Sequence, residues 1–204
     1  MTPPPDLVLA SASPRRRELL ERIGLALRVE PVDLDESPRA DEGPRPYAVR
    51  LAAEKCAAAV ARLGNDDLPV LAADTIVVLG SEIFGKPRDE ADAAAMLNRL
   101  SGRRHEVVTA YHLRHRGVVV ERAVATAVTF RLIAPPELEA YVASGEWRGK
   151  AGGYAIQGIA ALFATELRGS LTNVIGLPLA EVVADLRAAG ALANYPPPAF
   201  GGPG

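Results

Sequence analysis

The stretch from His105 to Leu132 constrains the fold most. "HEVVTAYHLRHRGVVVERAVATAVTFRL" alternates and is rich in Val and Thr, a period-two pattern that suits a pleated, half-buried surface. "RHRG", Arg114 to Gly117, offers a turn near its middle. The stretch therefore predicts a long β-hairpin.

Around it, strand and helix signals alternate. Leu7 to Ala10 read as a short buried strand. Ser13 then fits an N-cap, Pro14 a first helical turn, and Leu19, Leu20 and Ile23 an apolar stripe ending at Gly24. "LALRVEPV" reads as a second strand, leading into a polar loop through Asp33, Asp35, Glu36 and Ser37. Val49, Ala52, Ala53, Cys56, Val60 and Leu63 keep helical spacing and Gly64 follows as a stop. Val70 to Leu79 form an apolar, β-branched strand, "GSEIFGKP" turns back, and Asp89 caps a helix running to Leu100. "PPELEAYVASGE" predicts a short helix and "IAALFATELRG" another strand. Ser170 opens a segment that becomes helical over Leu179 to Ala188. The expected fold is α/β: a mixed, twisted sheet with a long antiparallel hairpin and flanking helices. One catalytic domain spans 1–190, and the Pro/Gly-rich tail of 191–204 is expected to be disordered.

Charge narrows the partners. Lys and Arg number 23 against 25 Asp and Glu, a formal net charge of −2. A general nucleic-acid binder carries a basic excess, so the expected partner is a small anion rather than a nucleic acid. Cys56 is the one cysteine, which excludes an internal disulfide and a multi-cysteine metal site. His105, His112 and His115 lack zinc spacing and read as structural. "MTPPPDLVLA" has neither a basic start nor a long apolar run, and no run approaches a membrane span. The cytoplasm is the expected compartment and no membrane the expected partner.

Several residues carry a chemical reading beside a plainly structural one: solvated arginines, a solvated turn lysine or a tight glycine turn. Arg15, Arg16 and Arg17 follow Pro14 at a helix start, where the macrodipole favours acids. An external anion resolves that conflict, since helix N-termini and arginine forks both bind phosphate. Asp74 interrupts "VLAADTIVVL", and a carboxylate in a buried strand must be paired, hydrogen-bonded or on a metal. Lys86 of "GKP" sits in a stiff turn shortly after that strand. "GKAGGYAIQG" has four glycines around Lys150, Tyr154 and Gln157. It has neither P-loop nor dinucleotide-fold order, but a side-chain amide such as Gln157 suits a nucleobase edge. Glu36 and Lys55, taken singly, read as surface residues.

Together these segments resemble the Maf family of nucleotide pyrophosphatases. "LASASPRRREL", the loop ending in Glu36, "RLAAEKC", "ADTIV", "GKP", "LSGRRHEVVTA", "KAGGYAIQG" and "GSLTNVIGLPL" occur in the family's order over roughly residues 7 to 187. The resemblance implies a Maf/ITPase-like fold and a cytoplasmic homodimer. Its activity would be hydrolysis of nucleoside triphosphates to monophosphate and pyrophosphate with a divalent cation, Mg²⁺ or Mn²⁺, in a house-cleaning role. By position, Asp74 becomes the catalytic proton acceptor. Glu36 and Lys86 join it in catalysis, Asp74 and Glu36 as metal ligands. Ser11, Arg15, Arg16, Lys55, Thr75 and Gln157 become substrate-binding. Arg15, Thr75 and Gln157 also fit the group acting on dTTP and UTP. Leu171 departs from the pattern, which often has an aromatic there. Two rival classes are a nucleotide-binding regulator of septum formation without turnover and an ITP-type purine triphosphate pyrophosphatase.

Overall fold

The computed structural model describes residues 4–64, 67–192 and 195–196. In chain order the first half runs β1 (Leu7–Leu9), α1 (Pro14–Arg22), β2 (Leu27–Val29), α2 (Pro44–Leu63), β3 (Val70–Leu79) and β4 (Glu82–Phe84). The second half continues with α3 (Glu90–Leu100), β5 (Arg104–His115), β6 (Val118–Phe130), α4 (Pro135–Ser144), β7 (Ala164–Arg168), α5 (Leu171–Ile175) and α6 (Leu179–Ala188).

The predicted hairpin is β5–β6. Its pairing runs unbroken from Arg104↔Thr129 to His115↔Val118, and Arg116 (φ 46°) with Gly117 (φ 81°) closes it. Two central residues at positive φ make the type I′ turn that matches strand twist. The sheet order is β2-β1-β3-β5-β6-β7, with β4 also on β3. β1 pairs parallel with β2 and β3, and the remaining pairs are antiparallel. This is the mixed α/β sheet expected.

One edge of β3 is continuously covered by β5 from Val70 to Val78. The other edge meets β1 only at Val70 and Leu71, and β4 only from Val77. The strand is left open on that edge at Ala72 to Ile76, and the candidate site forms in this gap. Alternation along β3 sends neighbouring side chains to opposite faces. Ile76 and Val78 pack with Tyr47, Ala48, Leu51 and Ala52 of α2. Leu71 and Ala73 pack on the other face with Leu19 and Leu20 of α1 and Val182 and Leu186 of α6. Val77 joins a third cluster built on α3, α4, Phe130 and Trp147.

Two elements differ from the sequence reading. "IAALFATELRG" is only half strand, because Ile159–Leu162 forms a 3-10 turn before β7. The turn's leading N–H groups are capped by the Glu146 carboxylate, which competes with strand pairing. Helix α5 begins sooner than expected, as Ser170 Oγ accepts from the Asn173 N–H. At the C-terminal end Leu192 is buried and, with Tyr195, packs on the α1–α6 cluster. The rest of the tail for which disorder was expected, 193–194 and 197–204, lies outside the described residues. Among the described residues no helix is long and apolar enough to cross a membrane.

Candidate active site

All nine residues singled out from the sequence line one cavity of about 580 Å³. The segment between β1 and α1 supplies Ser11, and α1 supplies Arg15 and Arg16. Glu36 comes from the loop before α2, Lys55 from α2, and Asp74 and Thr75 from β3. Lys86 follows β4, and Gln157 lies between the two 3-10 turns.

Lys55 is the link that a residue-by-residue reading misses. Its helical position falls in register with Leu51, Ala52, Cys56 and Ala59, the buried stripe of α2, so its side chain runs to the sheet rather than to solvent. Its Nζ lies 2.7 Å from Asp74 Oδ1 and 2.6 Å from Glu36 Oε1. Lys86 Nζ is 3.1 Å from Glu36 Oε2. The four side chains form one alternating chain, Asp74–Lys55–Glu36–Lys86, which answers the cost of placing Asp74, 8% exposed, inside a strand. Burial opposes ionisation of Glu36. The hydrogen bonds and charges of Lys55 and Lys86 outweigh it and hold the carboxyl below the ordinary glutamate range. The Glu36 carbonyl accepts from the Tyr47 hydroxyl at 2.7 Å, fixing the loop on α2. Burial and the carboxylates of Asp74 and Glu36 push that phenol up to about 12, so it remains a donor.

Arg16, read from the sequence as substrate-binding, lines the cavity and is also buried, with its fork bonded to the protein. Nε donates to Gly176 O (2.8 Å), and Nη1 to Ser11 Oγ (3.0 Å) and Ala73 O (2.7 Å); Nη2 donates to Thr75 Oγ1 (2.9 Å). The bond to Ala73 O occupies part of the open edge of β3, where a neighbouring strand would otherwise pair. Four of its five N–H donors are thereby used in shaping the cavity wall. Thr75 is similarly engaged. Thr109 Oγ1 donates to Asn173 O at 2.9 Å, which orients Thr75 Oγ1, 2.9 Å away, as the donor to Thr109. Asn173 Nδ2 continues the network to Val107 O and Thr126 Oγ1, each at 3.0 Å. Thr109 and Asn173 were not identified from sequence. For Thr109 of β5 the signal was a buried polar residue on an otherwise apolar strand face, as for Asp74; Asn173 lies in the short helix α5, where the sequence carries no such signal.

A free donor lies elsewhere on the cavity wall. Arg15 Nε is buried without a partner among the described residues. Burial lowers the pKa of this guanidinium, as burial and Arg15 lower that of Lys150, another lining residue. Ser13 occupies the N-cap position of α1 but makes no side-chain cap, and no acid lies in the first turn. The helix N-terminus is left facing the cavity, as an anion would require. Across from it, Gly152 (φ 67°) donates to Gly85 O at 3.0 Å and ties the glycine-rich segment to "GKP". A Cβ at Gly152 would come within 2.9 Å of Val77. Gln157 is exposed at the cavity rim.

His105, 2% exposed, holds the Tyr154 hydroxyl at 2.8 Å through Nε2. Among the described residues no group of three His, Cys, Asp or Glu side chains could hold a metal ion. Two hard carboxylates, Asp74 and Glu36, meet at the Lys55 ammonium. That donor set fits a cation of the Mg²⁺ type, which takes one or two carboxylates and completes its shell from phosphate and water.

Cations around a buried carboxylate, in a cavity roomy enough for a nucleotide, agree with the comparison to known sequences. A family model described as Maf-like protein matches residues 6–189. The chain belongs to the Maf family. It is 53% identical over 185 residues to the dTTP/UTP pyrophosphatase of Cereibacter sphaeroides, covering 90% of this chain and 95% of that one. The dTTP/UTP pyrophosphatase of Anaeromyxobacter dehalogenans strain 2CP-1 is 54% identical over 190 residues, covering 91% and 95%. That of Caulobacter vibrioides is 50% identical over 181 residues, covering 88% and 93%. Among solved structures, the Ham1 protein of Staphylococcus aureus aligns with a TM-score of 0.45 at 18% identity, covering 61% of this chain and 71% of that one. For a Maf protein, the cavity holding all nine residues is the natural candidate active site.

Proposed function

We propose that this Maf protein hydrolyses dTTP and UTP to the monophosphate and pyrophosphate. The observation that carries the reading is the alternating chain Asp74–Lys55–Glu36–Lys86 inside a cavity that also holds Arg15, Lys150 and an open helix N-terminus. Membership of the Maf family and the names of relatives at about half identity support it. The formal charge of −2 supports a small anionic substrate over a nucleic acid.

In this mechanism Asp74 accepts a proton from the water that attacks the α-phosphorus. Lys55 fixes the Asp74 carboxylate, so that it waits in one orientation. Lys86, Lys55 and Arg15 stabilise charge as it moves onto the departing pyrophosphate. Arg16 contributes by holding Ser11, Thr75 and the chain around Gly176 in place. Asp74 and Glu36 would hold a divalent cation, which supplies charge neutralisation at the phosphates and a more acidic water. Gln157 offers one acceptor and two donors, matching an adjacent carbonyl and N3–H of uracil or thymine.

The test is a release assay with ATP, GTP, CTP, UTP, dTTP and ITP, separating pyrophosphate from orthophosphate. Pyrophosphate release fastest from UTP and dTTP is expected. Preference for ITP would point to the purine-type enzyme. Nucleotide binding without release would leave a regulator.

A further inference from the structure

The loop carrying Gln157 is anchored on both sides. Before it, Tyr154 is buried and tied to His105 of β5 at 2.8 Å. After it, the Glu146 carboxylate accepts from the N–H of Ile159 (Oε2, 3.0 Å) and of Ala160 (Oε1, 3.4 Å). Only four residues lie between Tyr154 and Ile159, and they turn on themselves through Gly158 N–H to Ala155 O at 3.1 Å. Glu146 is itself fixed: its N–H donates to Ser144 Oγ at 3.2 Å, and its carbonyl accepts from Lys150 Nζ.

Gly158 shows how closely the carboxylate is fitted. A Cβ there would fall 2.1–2.6 Å from the Glu146 carboxylate atoms. A side chain at this position would therefore have to push the Glu146 carboxylate aside. Glu146 is not among the residues lining the cavity. Its carboxylate instead holds the loop's backbone and also faces the Tyr141 hydroxyl.

We infer that Glu146 is a positioning residue for base recognition, its carboxylate clamping Ile159 and Ala160 so that Gln157 meets the pyrimidine edge in one orientation. The inference rests on the reading of Gln157 given above. A side-chain amide discriminates between carbonyl–N3–H and the reversed pattern of cytosine only when its direction is fixed. Without the clamp, the loop could still offer the amide but would not hold its direction.

The experiment compares kcat/KM for UTP and CTP in wild type, Gln157→Ala, Glu146→Ala, Glu146→Gln and Gly158→Ala, with pyrophosphate inhibition and Tm for each. Glu146→Ala should lower the UTP/CTP ratio by on the order of tenfold to a hundredfold, the scale of a small misplacement. Its inhibition by pyrophosphate, which reports the phosphate end, should be unchanged. Glu146→Gln keeps one acceptor oxygen and should retain an intermediate ratio. Gly158→Ala, whose methyl displaces the carboxylate, should reproduce Glu146→Ala, and the double variant should be no worse than either alone. If Gln157→Ala keeps the wild-type ratio, the base-reading role fails and the inference with it. If Gln157→Ala lowers the ratio but Glu146→Ala does not, the inference alone is overturned. Should Glu146→Ala not fold, wild-type ratios in both Glu146→Gln and Gly158→Ala overturn it equally, and lowered ratios sustain it.

Discussion

Asp74 and His105 are both buried polar residues on neighbouring strands, yet they lead to opposite predictions. Asp74 meets the cavity and an ammonium at 2.7 Å, so Asp74→Asn keeps the shape and removes the proton acceptor. Pyrophosphate release at saturating metal should fall by about 10²–10⁴-fold, with Tm showing the fold intact. Turnover near wild type would remove Asp74 from the chemistry. His105 faces Tyr154 and Phe130 in the core, and burial holds its imidazole down at about 4. A histidine whose folded pKa lies below its unfolded value of about 6.5 leaves the unfolded chain holding the extra proton between the two. Stability should therefore fall as pH drops from about 6.5 to about 4, by up to about 3 kcal/mol from this group. In urea unfolding at pH 7, 5.5 and 4, His105→Gln should show a shallower decline than wild type; parallel declines would refute the assignment.

The hairpin was legible in the sequence because alternation and a turn tetrapeptide specify it locally, and the structure narrows the turn to Arg116 and Gly117. Arg116 adopts φ 46°, a left-handed conformation that costs a residue carrying a Cβ about 1 kcal/mol relative to glycine. Arg116→Gly should thus raise stability by up to about 1 kcal/mol in chemical denaturation, less the entropy glycine adds to the unfolded chain. No gain, or a loss, would mean the Arg116 side chain contributes more than its backbone costs. Gly152 makes the opposite case: its positive φ and the 2.9 Å approach of Val77 leave no room for a methyl. What the sequence hid were elements governed by distant side chains. The 3-10 turn at Ile159 depends on Glu146, thirteen positions away, and α5 is stitched to the hairpin through Asn173. Lys55 was legible only in helical register, where it shares a stripe with Leu51 and Ala59. Taken as one letter it looked like a solvated cation.

Arg16 joins parts of the protein that neither periodicity nor spacing could bring together. Its guanidinium spans the β1–α1 segment at Ser11, the open edge of β3 at Ala73 and Thr75, and Gly176 beyond α5, 160 positions away in the chain. The cluster "PRRR" therefore divides its labour. Arg15 keeps a buried donor on the cavity wall that has no partner among the described residues. Arg16 closes the sheet's gap, and Arg17 makes only an exposed contact with Glu21 at 3.8 Å. Because Arg16 holds two carbonyls that have no other strand to bond, removing it affects stability and activity together. Arg16→Ala should cost about 3 kcal/mol, the scale of leaving two buried acceptors unsatisfied, or a Tm loss of roughly 6–12 °C for a chain of this size. Arg16→Lys can restore charge and one bond but not the fork, so it should recover little of that stability. Arg15→Ala should leave Tm nearly unchanged while raising KM for UTP, and Arg17→Ala should change neither. Thermal melts and kinetics on the four variants decide the matter. A phosphate ligand at Arg16 would instead raise KM with Tm preserved, and that pattern would return Arg16 to the role its place in the sequence first suggested.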